Sequence, residues 1–283
     1  MGKIELLTNA IPLLTPRTGV GNYTYNLIKE FHRLRPDYSY YYFYGYFSRK
    51  LKLHEDAETL YRIKKIIKKI PVLSSFARRL NNNLVRFQSR RKFGIYFEPN
   101  FIPLDIKAKC VVTAVHDFSF LYPEWHPKDR VEYFSNNFFK RIYRSDVIIT
   151  GSKFIGAQAA ELLKESAPPV VTINYGFNSA LFNISTKKEK IPGIPENYIL
   201  FVGSAEPRKN LSSLLRAHTL LPKKIRKDHK LLFVGFDGWK NKDISPLLDE
   251  LKGSVEYIGY VSDDVLARLY SNAACLVYPS LYE

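Results

Sequence analysis

The stretch Tyr198-Ile199-Leu200-Phe201-Val202-Gly203-Ser204-Ala205-Glu206-Pro207-Arg208-Lys209-Asn210 joins an apolar run to a short polar loop. Five apolar residues that end at a glycine predict a buried strand. The positions that follow the loop, Leu211, Leu214, Leu215 and His218, have the spacing of one helix face. A strand, a glycine-containing loop and a helix in this order are typical of a parallel sheet.

The same alternation of apolar runs and helical patterns extends along the whole chain, which predicts an α/β fold of two doubly wound parallel sheets. We expect an N-terminal domain over 1–182, a polar and proline-broken linker over 183–197, and a C-terminal domain over 198–283. Helices of the second domain are predicted near 209–221, 243–252 and 262–272. The predicted strands are Ile4–Thr8, Tyr38–Phe47, Cys110–Val115, Asp146–Thr150, Val170–Ile173, Tyr198–Val202, Lys230–Val234, Val255–Ile258 and Cys275–Tyr278.

The composition indicates a chain that can bury a sizeable core and that meets anions. Its 283 residues are 46% hydrophobic, and 43 basic against 27 acidic residues give a net charge of +16. Nucleic acid, a phospholipid surface and a phosphorylated small molecule are the partners that such a charge favours. Cys110 and Cys275 are too few and too far apart for a disulfide framework or a metal site, which fits a reducing cytoplasm. No signal peptide or membrane span is expected.

The loop over 202–210 has the parts of an anion site. The first-turn amides of a helix are unpaired, and the helix dipole favours negative charge at that end. Arg208 offers a planar fork and Lys209 a point charge, both suited to phosphate oxygens. The alternative is a solvated turn in which Glu206 pairs with one of the two cations.

Two further places could hold a ligand. Gly19 and Gly21 open a helix after the first strand and would let the backbone approach a ligand closely, although a tight helix-entry turn explains them equally well. His116 ends the apolar strand that precedes it, where ligands of parallel sheets bind. It could carry a proton or donate a hydrogen bond to a sugar or phosphate. A structural histidine bonded to neighbouring backbone is the alternative.

The segment 62–92 carries eleven Lys and Arg residues and no acidic residue. Isoleucines at 63, 66, 67 and 70 define one face of a basic amphipathic helix, which is suited to an anionic membrane surface. An ordinary solvated helix face and a nucleic-acid-binding arm are the alternatives.

Together these motifs resemble the GT-B glycosyltransferases of the large retaining family four, the mannosyltransferase-like glycosyltransferase group 1. The resemblance extends over nearly the whole chain, and the string Glu206–Asn210 after a strand-ending glycine is its most specific part. The matching segments are Thr18–Tyr23, Tyr96–Phe101, Val115–Phe120 with Pro123 and Glu124, Ile173–Phe177, Val202–Asn210, Phe233–Gly235 and Gly259–Val265.

The resemblance implies two Rossmann-like domains that face a cleft, with a nucleotide-sugar held mostly by the second. Lys209 matches the family's phosphate lysine. Arg208 would supply the charge that many relatives place directly after the strand-ending glycine, where this chain has Ser204. His116 would lie near the reacting sugar. Glu283 matches the first glutamate of the family's glutamate-x-seven-glutamate motif, which contacts the donor sugar.

The remaining site residues also follow from the resemblance. Gly19 and Gly21 would approach the phosphates or the acceptor, and the backbone at Tyr260 and Val261 would border the nucleobase. Because only four strands are predicted after residue 197 and the sequence stops at the first glutamate of the motif, we expect a chain that is truncated within its second domain. Such a chain could lack activity by itself.

The function that this resemblance implies is retaining transfer of a hexose from a nucleotide-sugar to a lipid-linked or surface-polysaccharide acceptor, as in lipopolysaccharide synthesis. Trp239 after the stretch Phe233–Gly238, together with the string Glu206–Asn210, makes GDP-mannose the favoured donor by resemblance, with rhamnosyl and UDP-sugar donors as alternatives. No cofactor and no metal are expected, and the enzyme would be cytoplasmic, peripheral at the inner membrane face through 62–92. Two other functions compete: a non-catalytic binding module that acts with a partner chain, and a basic nucleic-acid-binding protein.

Overall fold

A computed structural model of the chain describes residues 3–15, 19–54, 92–164, 167–183, 190–235 and 244–283. The chain divides into two compact units, each built on one sheet. The first contains the residues up to Phe118 together with Ser135–Tyr175, and the second contains Ser119–Phe134 and Gly176–Glu283. Part of the predicted linker 183–197 lies outside the described residues, and the predicted domain boundaries stay a prediction.

The first unit contains one mixed sheet and its helices. Its described elements in chain order are β1 (Glu5–Asn9), α1 (Gly19–Leu34), β2 (Ser39–Phe43), β3 (Phe47–Ser48), β4 (Phe93–Glu98), β5 (Ala108–Val115), α2 (Lys128–Arg141, which begins in the second unit), β6 (Val147–Thr150), α3 (Lys153–Leu163) and β7 (Val170–Thr172). The seven strands lie in the order β3-β2-β1-β4-β5-β6-β7. Every neighbouring pair is parallel except β2 and β3. Leu7, Phe43 and Tyr96 are buried at the centre of the sheet.

The structure departs from the predicted strands of this sheet at two places. The single strand predicted over Tyr38–Phe47 is a hairpin of β2 and β3, because Gly45 adopts a φ of 95° and reverses the chain. The strand β4 is absent from the predicted strands, yet it pairs with β1 on one side and β5 on the other.

The strand order reverses between β1 and β4, since β1 continues to β2 on one side while β4 begins the other half of the sheet. Open parallel sheets bind ligands beyond the carboxyl ends of the strands at such a reversal. Asn9 ends β1 and Glu98 ends β4. These two buried polar residues therefore lie where a ligand site is expected.

The second unit contains a parallel sheet and its helices. Its described elements in chain order are β8 (Tyr198–Val202), α4 (Leu211–Thr219), α5 (Lys223–Asp228), β9 (Lys230–Val234), α6 (Ser245–Glu250), β10 (Val255–Gly259), α7 (Asp263–Asn272) and β11 (Cys275–Leu276). The four strands lie in the order β10-β9-β8-β11, which confirms the four predicted strands. The strand order reverses between β8 and β11. Leu200, Phe201, Leu231 and Leu232 are fully buried in the two faces of the sheet.

Two sequence features lie outside the described residues. Apart from Lys92, the basic segment 62–92 lies outside the described residues. Trp239, which favoured mannosyl transfer, lies outside them as well. Across the described ranges, no helix combines the length and the apolar character needed to span a bilayer.

Candidate active site

The cationic pair Arg208 and Lys209 lies at the carboxyl end of β8, on the turn that enters α4. Pro207–Lys209 forms one 3-10 turn, and Asn210 then adopts a left-handed conformation with a φ of 56° before α4 begins. The Asn210 side chain donates to the Pro279 carbonyl at 3.1 Å. This bond joins the loop after β8 to the chain after β11, across the point where the strand order reverses.

Lys209 is a buried cation, with 7% of its surface exposed. Its Nζ donates to the hydroxyl of Tyr278 and, at 2.5 Å, to Oε1 of Glu283. Burying an ammonium group is costly unless it is paired, so the Glu283 carboxylate offsets part of that cost. Partial burial raises the pKa of Glu283, but the hydrogen bond from Lys209 and the neighbouring positive charges outweigh it, and the pKa lies below 4.5.

Arg208 bridges two carboxylates. Its Nε lies 3.4 Å from Oε2 of Glu206, and its Nη1 donates to Oε2 of Glu283 at 3.3 Å and to the Tyr282 carbonyl at 3.2 Å. The pairing with Glu206 is the contact that the solvated-turn alternative predicted. The Ser204 hydroxyl donates to the other oxygen of Glu206 at 2.6 Å.

These contacts bring four of the predicted site residues together. We call Ser204, Glu206, Arg208, Lys209 and Glu283 the Lys209 cluster. The two carboxylate oxygens of Glu283 accept hydrogen bonds from the two cations, Oε1 from Lys209 and Oε2 from Arg208. The cluster therefore accommodates an oxyanion between Arg208 and Lys209, and a phosphate group has the same kind of oxygens.

The ends of the neighbouring strands lie at the same edge of the sheet. Gly235, after β9, has a φ of 151°, and a Cβ atom there would lie 1.9 Å from the Gly203 carbonyl oxygen. Only glycine permits this close approach of the two loops. Tyr260 and Val261 follow β10 at this edge, and Tyr260 is half exposed. Their contact with a nucleobase stays a prediction.

In the first unit, the predicted residues lie at the edge where β1, β4 and β5 end. Gly19 and Gly21 form the first turn of α1, and Gly21 is buried. His116 follows β5 and packs edge-on against the rings of Tyr23 and Phe101, with centroids 5.0 and 5.4 Å away. Burial lowers the pKa of His116 below 6.5, so the ring is neutral at pH 7.

Both ring nitrogens of His116 have partners. Nε2 lies 2.7 Å from the Pro99 carbonyl oxygen, and Nδ1 lies 2.7 Å from the Tyr175 hydroxyl. A carbonyl oxygen only accepts, so Nε2 carries the proton and Nδ1 accepts from Tyr175. The backbone bond agrees with the structural alternative for His116, and Tyr175, the partner of the other nitrogen, is half exposed.

Three polar residues of these sites were not predicted from the sequence. Tyr278 contacts Lys209, Tyr175 contacts His116, and the buried Glu98 ends β4. All three lie in or next to apolar or aromatic runs, which hides their polar groups in the sequence. Their position at or after the carboxyl end of a strand is the sequence feature that could have identified them as site residues. In the described ranges, no three His, Cys, Asp or Glu side chains are grouped so that they could hold a metal ion.

Two solved structures have a fold similar to that of this chain. Sucrose-phosphate synthase from Thermosynechococcus elongatus aligns with a TM-score of 0.64 over 99% of this chain and 76% of its own, at 16% identity. HepE from Anabaena, solved with UDP and glucose, aligns with a TM-score of 0.53 over 98% of this chain and 74% of its own, at 13% identity. The fold is that of the GT-B glycosyltransferases, which confirms the predicted fold class.

Sequence comparison identifies the family. The model for glycosyl transferases group 1 matches residues 184–283. O-antigen chain mannosyltransferase B from Escherichia coli is 31% identical over 96% of this chain and 75% of its own length. The chain therefore belongs to the group 1 glycosyltransferases and is a glycosyltransferase, as the resemblance implied.

Proposed function

We propose that this glycosyltransferase moves a mannosyl residue from GDP-mannose to a lipid-linked or surface-polysaccharide acceptor, with retention of the anomeric configuration. The observation that carries the proposal is the Glu283 carboxylate held between Arg208 and Lys209 at the carboxyl edge of the second sheet. The name of the similar E. coli protein, an O-antigen chain mannosyltransferase, supports the sugar and the kind of acceptor.

In this proposal the Lys209 cluster receives the diphosphate of the donor. Negative charge grows on the diphosphate as the glycosidic bond breaks, and donors already aimed at that charge lower the barrier. The Lys209 ammonium, the Arg208 guanidinium and the first amides of α4 supply these donors. Two fixed cations neutralise the leaving group, so the proposed reaction requires neither a divalent metal nor a cofactor.

Donor binding also changes the partner of Glu283. A diphosphate oxygen between the two cations would take the position that the carboxylate occupies. Glu283 is half exposed and can therefore turn away while Lys209 stays buried. Once released, it can accept hydrogen bonds from hydroxyls of the donor sugar, which is the role that the family resemblance gives it.

The proposed acceptor places the enzyme at the cytoplasmic face of the inner membrane. The net charge of +16 and the eleven cationic residues of 62–92 favour an anionic lipid surface. Sedimentation with vesicles of neutral lipid alone and of neutral lipid mixed with anionic lipid tests this part. We expect binding only to the anionic vesicles, and preference for DNA of equal charge density would contradict it.

A transfer assay tests the reaction itself. The chain is incubated with radiolabelled GDP-mannose, UDP-glucose or dTDP-rhamnose and a lipid-linked glycan, and the product linkage is determined by NMR. We expect transfer from GDP-mannose with an α-linked product. Transfer from another donor alone would refute the assigned sugar, and a β-linked product would refute retention.

A further inference from the structure

The side chain of Glu98 is 1% exposed at the carboxyl end of β4, and three donors surround it. The Asn9 amide donates to both carboxyl oxygens, at 3.0 and 2.8 Å. The Tyr96 hydroxyl donates to Oε2 at 2.6 Å, and the Asn100 backbone amide donates to Oε1 at 3.1 Å. Burying a carboxyl group destabilises the fold unless hydrogen bonds compensate, and these four hydrogen bonds supply that compensation. We therefore ask what this network does for the ligand edge of the sheet.

The network holds two loops at the ligand edge of the first sheet. Asn9 ends β1, and its Oδ1 accepts from the Ile11 amide at 3.2 Å, which orients the Asn9 side chain toward Glu98. The bond from the Asn100 amide to Glu98 closes a tight turn across Pro99. This turn points the Pro99 carbonyl at Nε2 of His116.

We propose that Glu98 is a positioning residue that fixes the tautomer and orientation of His116 through the Asn100 amide and the Pro99 carbonyl. Glu98 touches no substrate, because it is buried. Its effect is that the His116 ring keeps its proton on Nε2 and presents Nδ1 as an acceptor. The Tyr175 hydroxyl donates to that nitrogen.

This arrangement specifies the chemistry of a ligand beside His116. A group that replaces the Tyr175 hydroxyl at Nδ1 must donate a hydrogen bond, as a sugar hydroxyl does and as an unprotonated phosphate oxygen does not. Tyr175 is half exposed, so such a replacement is sterically open. This part of the inference rests on the proposed function, in which His116 lies near the reacting sugar.

Nitrogen NMR of the histidine-labelled full chain tests the inference without using activity. The 15N shifts of a neutral imidazole distinguish the two tautomers, and the His116→Gln spectrum assigns the signals of His116. We expect the Nε2–H tautomer in the wild-type chain. A wild-type ring that carries its proton on Nδ1, or that mixes both forms, would overturn the inference before any Glu98 variant is made.

Two Glu98 variants separate positioning from packing. Glu98→Met removes every acceptor at similar size, and we expect mixed tautomers together with a fall of about tenfold or more in kcat. Glu98→Gln keeps an acceptor for the Asn100 amide, so it should retain the Nε2–H tautomer. Glu5→Gln, at the opposite end of β1, is the matched control and should leave the His116 signals unchanged.

The outcomes keep this inference apart from the proposed function. Unchanged His116 signals in a cooperatively folded Glu98→Met chain would refute the positioning role. If Glu98→Met does not fold, two other results can still refute the positioning role. One is a wild-type His116 ring without the Nε2–H tautomer, and the other is an altered His116 tautomer in the Glu98→Gln chain. Transfer from a donor other than GDP-mannose alone would refute the proposed function and leave the tautomer result valid.

Discussion

Replacing Lys209 by Met removes the buried cation of the proposed diphosphate site while it keeps most of the side-chain volume. The ammonium contacts Glu283 at 2.5 Å and the Tyr278 hydroxyl. Lys209→Met leaves Glu283 without this partner, but that carboxylate is half exposed and can be hydrated. We therefore expect a change of no more than about 1 kcal/mol in the free energy of unfolding.

The effect on nucleotide binding should be much larger. A hydrogen bond to a charged group contributes about 1.5–3 kcal/mol, and each 1.4 kcal/mol changes Kd tenfold. Lys209 is 7% exposed, so solvent screens its charge little. GDP must displace Glu283 from Lys209 in the wild-type chain, and this displacement offsets part of the binding free energy. We expect Kd for GDP to rise about 10- to 100-fold in Lys209→Met.

Calorimetric titration with GDP at fixed ionic strength measures this change. Lys224→Ala is the matched control, because it removes the same charge from an exposed position of α5. We expect its Kd to stay within about twofold of the wild-type value. Equal Kd values for Lys209→Met and the wild-type chain would refute the assignment of the diphosphate site. An equal loss in both variants would show that only the net charge matters.

Three further predictions concern stability and protonation. Burial raises the pKa of Glu98 from 4.5 to about 8, so protonation of Glu98 stabilises the folded chain. The free energy of unfolding should therefore fall by up to about 1.4 kcal/mol per pH unit as pH rises from 4.5 toward 8. Urea unfolding of the Glu98→Gln variant should lack this pH dependence. Gly235→Ala should lower stability by about 2 kcal/mol or more in thermal unfolding, since its Cβ would meet the Gly203 carbonyl, whereas Gly176→Ala, with open space around it, should change it by less than about 0.5 kcal/mol. Because burial lowers the pKa of His116, its NMR titration midpoint should lie below 6.5, and a midpoint above 6.5 would contradict the buried, neutral ring.

The parallel sheets could be predicted because their signals are local. The run Tyr198–Val202 and the helical spacing after Asn210 each identify one element, and the structure contains both. The hairpin at Gly45 was missed because the tyrosines on both sides of it continue one aromatic run. The strand β4 was missed because its position beside β1 depends on pairing with a distant part of the chain.

In the candidate site, too, local contacts could be predicted from the sequence and contacts between distant residues could not. Arg208 and Lys209 are neighbours in sequence, so their joint position on one turn could be predicted from the stretch that contains them. The contact between Lys209 and Glu283 joins residues 74 positions apart, and it forms where the chain leaves β11 beside β8. Two partners of Glu98, Tyr96 and Asn100, are its neighbours in sequence. The third, Asn9, could not be predicted, because it reaches Glu98 only through the pairing of β1 with β4.

The central claim is that the donor diphosphate binds at the Lys209 cluster, and a crystal structure of the chain grown with GDP tests it most directly. We predict that diphosphate oxygens lie within hydrogen-bonding distance of Lys209 Nζ and of the Arg208 guanidinium, with the Glu283 carboxylate displaced from Lys209. A diphosphate bound elsewhere, with the contact between Glu283 and Lys209 intact, would contradict the account.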